Sequence, residues 1–181
     1  MYQLRITLKH LQPAIWRCIL VERHISLLRL NHMIQAAMGW KNQHRHEFII
    51  KDIHYGYPDP ENFSPEALRD SAKTTVGDVL RRGDAFLYIY DFGDAWEHDV
   101  AVEDIIAPKP DLQAPLCLAG ARACPPEDCG GVSGYERMCA VLHDPRYEEY
   151  AAIQRWLGVE FNTEKFAPHI ATRRMRTVRW I

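Results

Sequence analysis

Histidine and carboxylate side chains occur in two segments of this sequence with a spacing typical of metal sites. His44 and His46 lie two residues apart, so on a strand both imidazoles would point to the same face. His98 belongs to a second segment, which also contains Asp91 and Asp94. Imidazole and carboxylate ligands suit zinc or manganese. These residues therefore predict a candidate metal site at which a hydrolase or nuclease could activate water.

Cysteine supplies a second candidate set of metal ligands, with Cys117 and Cys129 as its members. The chain has five cysteines, an odd number whose spacing matches neither a paired-cysteine zinc knuckle nor a disulfide framework. Free cysteine also packs as a small apolar residue, so the same thiols can be core residues. A structural zinc site and inert buried thiols are both open alternatives.

The segment Pro125-Pro-Glu-Asp-Cys-Gly-Gly131, called the strap below, is the most distinctive in the chain. Its prolines favour an extended backbone, and its glycines permit close approach or a positive φ. Glu127 and Asp128 stand between them and could bind a metal, accept hydrogen bonds from an arginine or neutralise a helix N-terminus. In a purely structural role they would bind backbone amides or an internal arginine such as Arg17 or Arg122. We favour the last, structural role for these acids over a functional one.

We expect the strap to meet the turn that follows the first strand of a predicted hairpin. Four carboxylates would then crowd one region, and like charges at close range need a cation, arginines or a basic ligand to offset them. The candidate binding residues are Asp91, Asp94, Trp96, Glu127, Asp128 and Arg17.

The elements that position these residues follow from the hydrophobic pattern. Five segments predict strands: residues 2–8, 15–21, 46–51, 85–90 and 96–102. Ser26 is a candidate N-cap for a helix that ends near Gly39. Ser133 opens a predicted capping box for a helix to about residue 143, and further helices are predicted at 76–82 and 147–157. The fold expected is α+β, with a mostly antiparallel sheet of about five strands and helices packed on it.

The composition predicts a single globular domain over residues 1–181, whose C-terminal part is helical from about residue 133. The chain is 47% hydrophobic and 25% charged, with a net charge of −2. Basic residues predominate in residues 1–54 and acidic residues in 55–171, which indicates either a charged binding face or oppositely charged surfaces that meet within the domain.

No apolar run is long enough for a membrane span, and no signal-peptide pattern opens the sequence. We expect a cytoplasmic protein without a membrane partner.

Several motifs together resemble one protein family. They are Pro13-Ala-Ile-Trp-Arg17, His44-Arg-His46-Glu-Phe48, Tyr88-Ile-Tyr-Asp-Phe-Gly-Asp-Ala-Trp-Glu-His98, Pro115-Leu-Cys117-Leu-Ala-Gly120, and the strap running into Gly134-Tyr135. The sequence resembles the plasmid pRiA4b ORF-3-like family, which includes insertion-element passenger proteins with a resolvase-type label. The resemblance implies an α+β fold and an association with mobile elements, and no established activity.

Three functions are consistent with these residues. The first is a non-enzymatic binding or accessory module whose partner is a protein or nucleic acid, favoured because the sequence contains no nucleophile–base set, phosphate loop or cofactor fingerprint. The second is a metal-dependent hydrolase or nuclease that uses the histidines and aspartates. The third is a structural zinc protein. No cofactor is predicted beyond a divalent metal, zinc or manganese; whether the protein is an enzyme and its oligomeric state are left open.

Overall fold

One mixed sheet organises the computed structural model, which describes residues 1–58, 68–109, 112–158 and 161–178. Within these residues the strands are β1 (Tyr2–Leu8), β2 (Trp16–Val21), β3 (His46–Ile50), β4 (Ile53–Gly56), β5 (Arg69–Asp70), β6 (Ala85–Tyr90), β7 (Trp96–Ile105) and β8 (Leu116–Ala121). Their order across the sheet is β5-β4-β3-β6-β7-β1-β2-β8. Only the β4–β5 pair is parallel, so the sheet is mostly antiparallel, as predicted.

The number of strands was underestimated, since the sheet has eight and not about five. The five predicted segments correspond to β1, β2, β3, β6 and β7: β1 and β6 have the predicted limits, and each of the other three differs by one to three residues at one end. The other three strands are short or lack the usual pattern. Strand β8 in particular lies in a segment rich in Pro and Gly and contains no β-branched residue, so its β conformation depends on pairing with β2.

Five helices occur in the described chain: α1 (Leu27–Met38), α2 (Val76–Val79), α3 (Gly131–His143), α4 (Tyr150–Leu157) and α5 (Pro168–Thr177). The predicted limits of α1 are confirmed. The Ser26 hydroxyl accepts a hydrogen bond from the backbone N–H of Arg29, and Gly39 ends the helix with φ 113°. One face of α1, which includes Leu27, Leu30 and Ile34, is buried.

The predicted capping box at Ser133 is wrong. Helix α3 begins at Gly131 with Gly130 as its N-cap, so Ser133 lies inside the helix and is exposed. Two consecutive glycines with positive φ turn the strap directly into the helix, which begins three residues earlier than it would with Ser133 as its N-cap. Helix α5 was not predicted at all; it packs on α1 and β8.

The core lies where α1, α5 and the sheet meet. In β1 the side chains alternate, so that Tyr2, Leu4, Ile6 and Leu8 are buried while the residues between them are partly exposed. Of the helices in the described chain, none is both long and apolar enough to cross a lipid bilayer.

Candidate functional site

The turn between β6 and β7 fixes the position of Asp91. Asp91 is buried and adopts a left-handed backbone conformation, with φ 57°. Its Oδ1 accepts a hydrogen bond of 2.9 Å from the backbone N–H of Gly93, and its carbonyl accepts one from Ala95. These bonds hold the carboxylate so that Oδ2 is directed towards His44.

The strap lies against this turn, as the sequence predicts. The Trp40 indole donates a hydrogen bond of 2.9 Å to the Pro125 carbonyl, and the backbone N–H of Gly130 donates one of 3.2 Å to Asp94 Oδ2. Gly131 has φ 67°, and a Cβ there would lie 2.7 Å from the Asp94 carbonyl oxygen. Close docking of the strap therefore requires glycine at position 131.

Glu127 is fixed by hydrogen bonds on the inner side of the strap. Its Oε1 accepts one of 3.0 Å from the Tyr90 hydroxyl and one of 2.8 Å from the backbone N–H of Lys41. Tyr90 stacks on Trp40 with 5.0 Å between ring centroids. Burial, together with the nearby carboxylate, raises the pKa of Tyr90, so the hydroxyl is protonated at neutral pH and acts as the donor.

His44 lies between the three carboxylates. Its Nε2 is 3.0 Å from Asp128 Oδ1, 3.6 Å from Asp91 Oδ2 and 4.0 Å from Glu127 Oε2. The Nε2 atom is enclosed, and within the described residues it makes no hydrogen bond of acceptable geometry. Asp128 also has a positive φ, 55°, so both nearer carboxylates are presented by left-handed residues. Such conformations often mark functional sites.

The arrangement of His44, Asp91 and Asp128 is suited to holding a divalent cation. One ligand atom from each residue lies within 4.8 Å of the others. Ligands at about 2.1 Å from a zinc or manganese ion are separated from each other by roughly 3–3.5 Å, which agrees with the shorter distances from Nε2. Glu127, fixed by Tyr90 and Lys41, is next to this group and could contribute a fourth oxygen after a small movement.

The structure does not bring the other two candidate histidines into this group. His46 begins β3, whereas His44 precedes the strand, so the two imidazoles do not share a strand face. His46 packs against Phe48, and its Nε2 lies 3.5 Å from the Ser71 hydroxyl. His98 is fully buried, with its Nδ1 3.3 Å from the Tyr88 carbonyl. Burial lowers the pKa of each to about 4, so both rings are neutral at physiological pH.

Two further candidates, Trp96 and Arg17, are buried. The Trp96 side chain is fully enclosed in the core and offers no surface to a partner. Arg17 is 1% exposed, and its guanidinium donates to the carbonyls of Trp16, Ala37, Ala121 and Arg122.

The arginines expected to pair with the strap acids have other partners. Arg17 donates its hydrogen bonds to backbone carbonyls and lies 3.8 Å above the centroid of the Phe166 ring. Arg122 pairs with Glu164 and donates to the Pro13 carbonyl. Glu127 instead accepts hydrogen bonds from a backbone N–H, which the structural role of these acids also allows, and from the Tyr90 hydroxyl. Asp128 Oδ1 lies 3.0 Å from His44 Nε2.

The candidate cysteine ligands are not members of the His44 group. Cys117 is buried in β8, and Cys129 is half-buried in the strap. Burial raises the pKa of the Cys117 thiol to about 11 and that of Cys129 to about 12, which favours the protonated form. Within the ranges that the structure covers, no cysteine belongs to a group with metal-ligand spacing.

The sequence interpretation missed the residues that hold the strap in place. Trp40, Lys41 and Tyr90 were not candidate site residues, although they contact Pro125 and Glu127. The alternation of β6 places Tyr90 on the buried face, and this pattern was readable. The contribution of Lys41 is a backbone N–H just beyond the end of α1, which carries no side-chain signal.

A related sequence, a solved structure and a family profile are each similar to nearly the whole of this chain. An uncharacterised protein, y4hQ from Sinorhizobium fredii, is 39% identical over 158 residues, which cover 86% of this chain and 80% of the relative. A crystal structure of MM3350 from Methanosarcina mazei Go1, a protein of unknown function, superposes with a TM-score of 0.84 and 37% identity, over 93% of this chain and 95% of the other. Residues 1–169 match the profile described as plasmid pRiA4b ORF-3-like protein. The chain therefore belongs to the plasmid pRiA4b ORF-3-like family.

Proposed function

We propose that this protein is a non-enzymatic binding module whose binding surface depends on a divalent cation held by His44, Asp91 and Asp128. The observation that carries the proposal is the enclosed Nε2 atom of His44, which lacks a hydrogen bond within the described residues and faces carboxylate oxygens from both the turn and the strap. An ion at this point would replace repulsion between the carboxylates by attraction.

The consequence for binding follows from where the ligands lie. Asp91 belongs to the β6–β7 turn and Asp128 to the strap, so a cation bound by both would tie the two segments together. The strap is also one wall of a neighbouring cleft, which includes Pro125 and Glu127. Loading with a cation would therefore set the shape of that wall. The raised pKa values of Cys117 and Cys129 favour a binding role over thiolate nucleophile chemistry.

The proposal is tested by titrating Mn²⁺ or Zn²⁺ into untagged protein and measuring the heat of binding. We expect one site per chain, weakened at least roughly tenfold by Asp91→Asn, because the substitution removes a charged ligand. Asp99→Asn is the matched control, since Asp99 is an exposed residue of β7 outside the group. Equal affinities for the wild type and Asp91→Asn would contradict the proposal.

A second candidate function is a metal-dependent hydrolase or nuclease at the same residues. One observation favours it: the Asp128 side chain is 65% exposed, so an ion there would keep a solvent-facing coordination position, as catalytic metal sites do. Its test is hydrolysis of bis-p-nitrophenyl phosphate with Mn²⁺, compared between the wild type and His44→Gln. Turnover that His44→Gln abolishes would favour this function over the binding module.

A further inference from the structure

A cleft of about 760 Å³ lies beside the His44 group. One wall is formed by the strap and the end of α1, and the other by residues 161–171, which lead into α5. The volume is within the range of about 300–1,000 Å³ that small-molecule sites occupy. The cleft is therefore large enough for a drug-sized ligand.

The walls of the cleft carry aromatic surface. Trp40, Phe161 and Phe166 line it, and Trp156 of α4 contributes a ring that is 53% exposed. One face of Phe166 is covered by the Arg17 guanidinium, and one face of Trp40 by the Tyr90 ring. The remaining aromatic surface of the lining favours a flat apolar body, because offset stacking adds to the burial of apolar area.

The basic residues of the cleft are not neutralised by acids. Arg17 is buried, and its four hydrogen bonds all go to carbonyl oxygens. Arg174 of α5 is exposed, and among the described residues no carboxylate pairs with its guanidinium or with that of Arg17. Lys41 and Lys165 add two more exposed cations to the lining.

The acidic residues that line the same cleft are already engaged. Glu127 accepts hydrogen bonds from the Tyr90 hydroxyl and the Lys41 backbone, and Asp128 lies 3.0 Å from His44. Against these two acids the lining carries four cationic residues, Arg17, Lys41, Lys165 and Arg174. The cleft therefore keeps an excess of positive charge.

Part of this excess has a structural use at the C-terminus of α1. Arg17 donates through Nε to the Ala37 carbonyl, and a Cβ on Gly39 would lie 2.9 Å from Arg174 Nη1. The C-terminus of a helix carries the equivalent of roughly half a negative charge. Two full positive charges exceed that amount, and α1 has no basic residue of its own in its last turn. The remaining positive charge is available to pair with an anion.

We propose that this cleft binds a small organic anion with an aromatic body, whose acidic group pairs with Arg174 and whose ring lies between the aromatic walls. The inference goes beyond the proposed cation site and uses a different set of side chains. Aromatic carboxylates, sulfonates and phosphate esters all combine such a ring with an acidic group.

The experiment compares two fluorescent probes that differ in one charged group. 8-Anilinonaphthalene-1-sulfonate carries a sulfonate, and N-phenyl-1-naphthylamine has the same ring system without it. Both are titrated in EDTA, so that the result is independent of the cation site. We expect the sulfonate probe to bind the wild type roughly tenfold more tightly, the effect of one charge-assisted contact.

The variant Arg174→Gln should abolish this preference and leave binding of the neutral probe unchanged. Arg173→Gln is the matched control, because Arg173 is an exposed neighbour on α5 that does not line the cleft. Equal affinity of the wild type for the two probes, no binding of either, or equal losses in the two variants would each overturn the proposal. Failure of the cation proposal would be seen separately, in the Mn²⁺ titration of Asp91→Asn.

Discussion

Two histidines at the two ends of one row of rings show how the environment decides what this residue does. His44 packs edge-on against Tyr90, Tyr90 stacks on Trp40, and Trp40 contacts His98 at 5.4 Å between centroids. His44 lies at the surface among carboxylates, and its side chain is 31% exposed. His98 is enclosed by aromatic rings. The same side chain is thus a candidate ligand at one end of the row and a packing residue at the other.

The strongest test of this contrast is truncation of each ring. His98→Ala should lower the free energy of unfolding by about 3–4 kcal/mol, because it leaves a cavity in a fully buried aromatic layer. In EDTA, His44→Ala should change it by less than about 1 kcal/mol, since removing a partly exposed side chain creates no cavity. Urea denaturation measures both values. Equal losses of unfolding free energy in the two variants would contradict the view that His98 is a packing residue and His44 is not.

A bound cation should stabilise the folded protein through His44 and not through His98. At a free Mn²⁺ concentration about 100 times the dissociation constant, linkage raises the free energy of unfolding by about 2.7 kcal/mol, because the ion binds the folded state. Thermal and urea denaturation of the wild type, with and without Mn²⁺, measure this rise. His44→Gln should lose it and His98→Gln should keep it. A rise that survives in His44→Gln would assign the ion to another site.

The pH dependence of the unfolding free energy should show that His98 is buried in a neutral form. Burial lowers the folded-state pKa of His98 to about 4 from 6.5, so the folded protein binds fewer protons than the unfolded chain between these values. The stabilisation is fully present above pH 6.5 and is lost as the pH falls towards 4. We expect this residue to contribute a loss of about 2 kcal/mol between pH 7.5 and 5. In urea denaturation across this range, His98→Gln should show a shallower dependence by that amount. Equal slopes would show that His98 does not resist protonation.

The smallest expected effect concerns the Tyr90 hydroxyl, in the middle of the row. Tyr90→Phe removes the hydrogen bond to Glu127 and keeps the ring stack on Trp40. A cost of about 1.5 kcal/mol is expected, the value at which the range for an ordinary hydrogen bond meets the range for a bond to a charged group. Cation affinity should also fall slightly, because Glu127 is no longer fixed. Tyr150→Phe, whose hydroxyl is bound only at the surface by Gln154, is a control that should cost almost nothing. If the two variants cost the same, Glu127 is not held through Tyr90.

Much of the framework could be predicted from local pattern alone. Alternation identified β1, and aromatic and β-branched residues on both sides of a turn sequence identified β6 and β7. Ser26 and Gly39 gave the limits of α1, because capping is a property of neighbouring residues. Strand β8 and helix α5 could not be found in this way. The first lacks strand-forming residues, and the second forms with the support of its contacts with α1 and β8.

For the candidate site, the sequence determined which chemical groups are present. It supplied Asp91 and Asp94 in a turn, Glu127 and Asp128 in the strap, and the expectation that turn and strap meet. Only the tertiary structure decided which groups contact these acids. Arg17 carries the right charge for the acids, but the carbonyls at the end of α1 and along β8 bind it in the core.

Only the folded chain decided that His44, and not His46 or His98, lies among the carboxylates. Burial within the sheet keeps His46 and His98 neutral and enclosed, whereas His44 precedes β3 and remains at the surface. Spacing along a chain fixes which side chains can share a face. Desolvation and the approach of distant segments fix which of them meet a charge, and neither quantity is local in sequence.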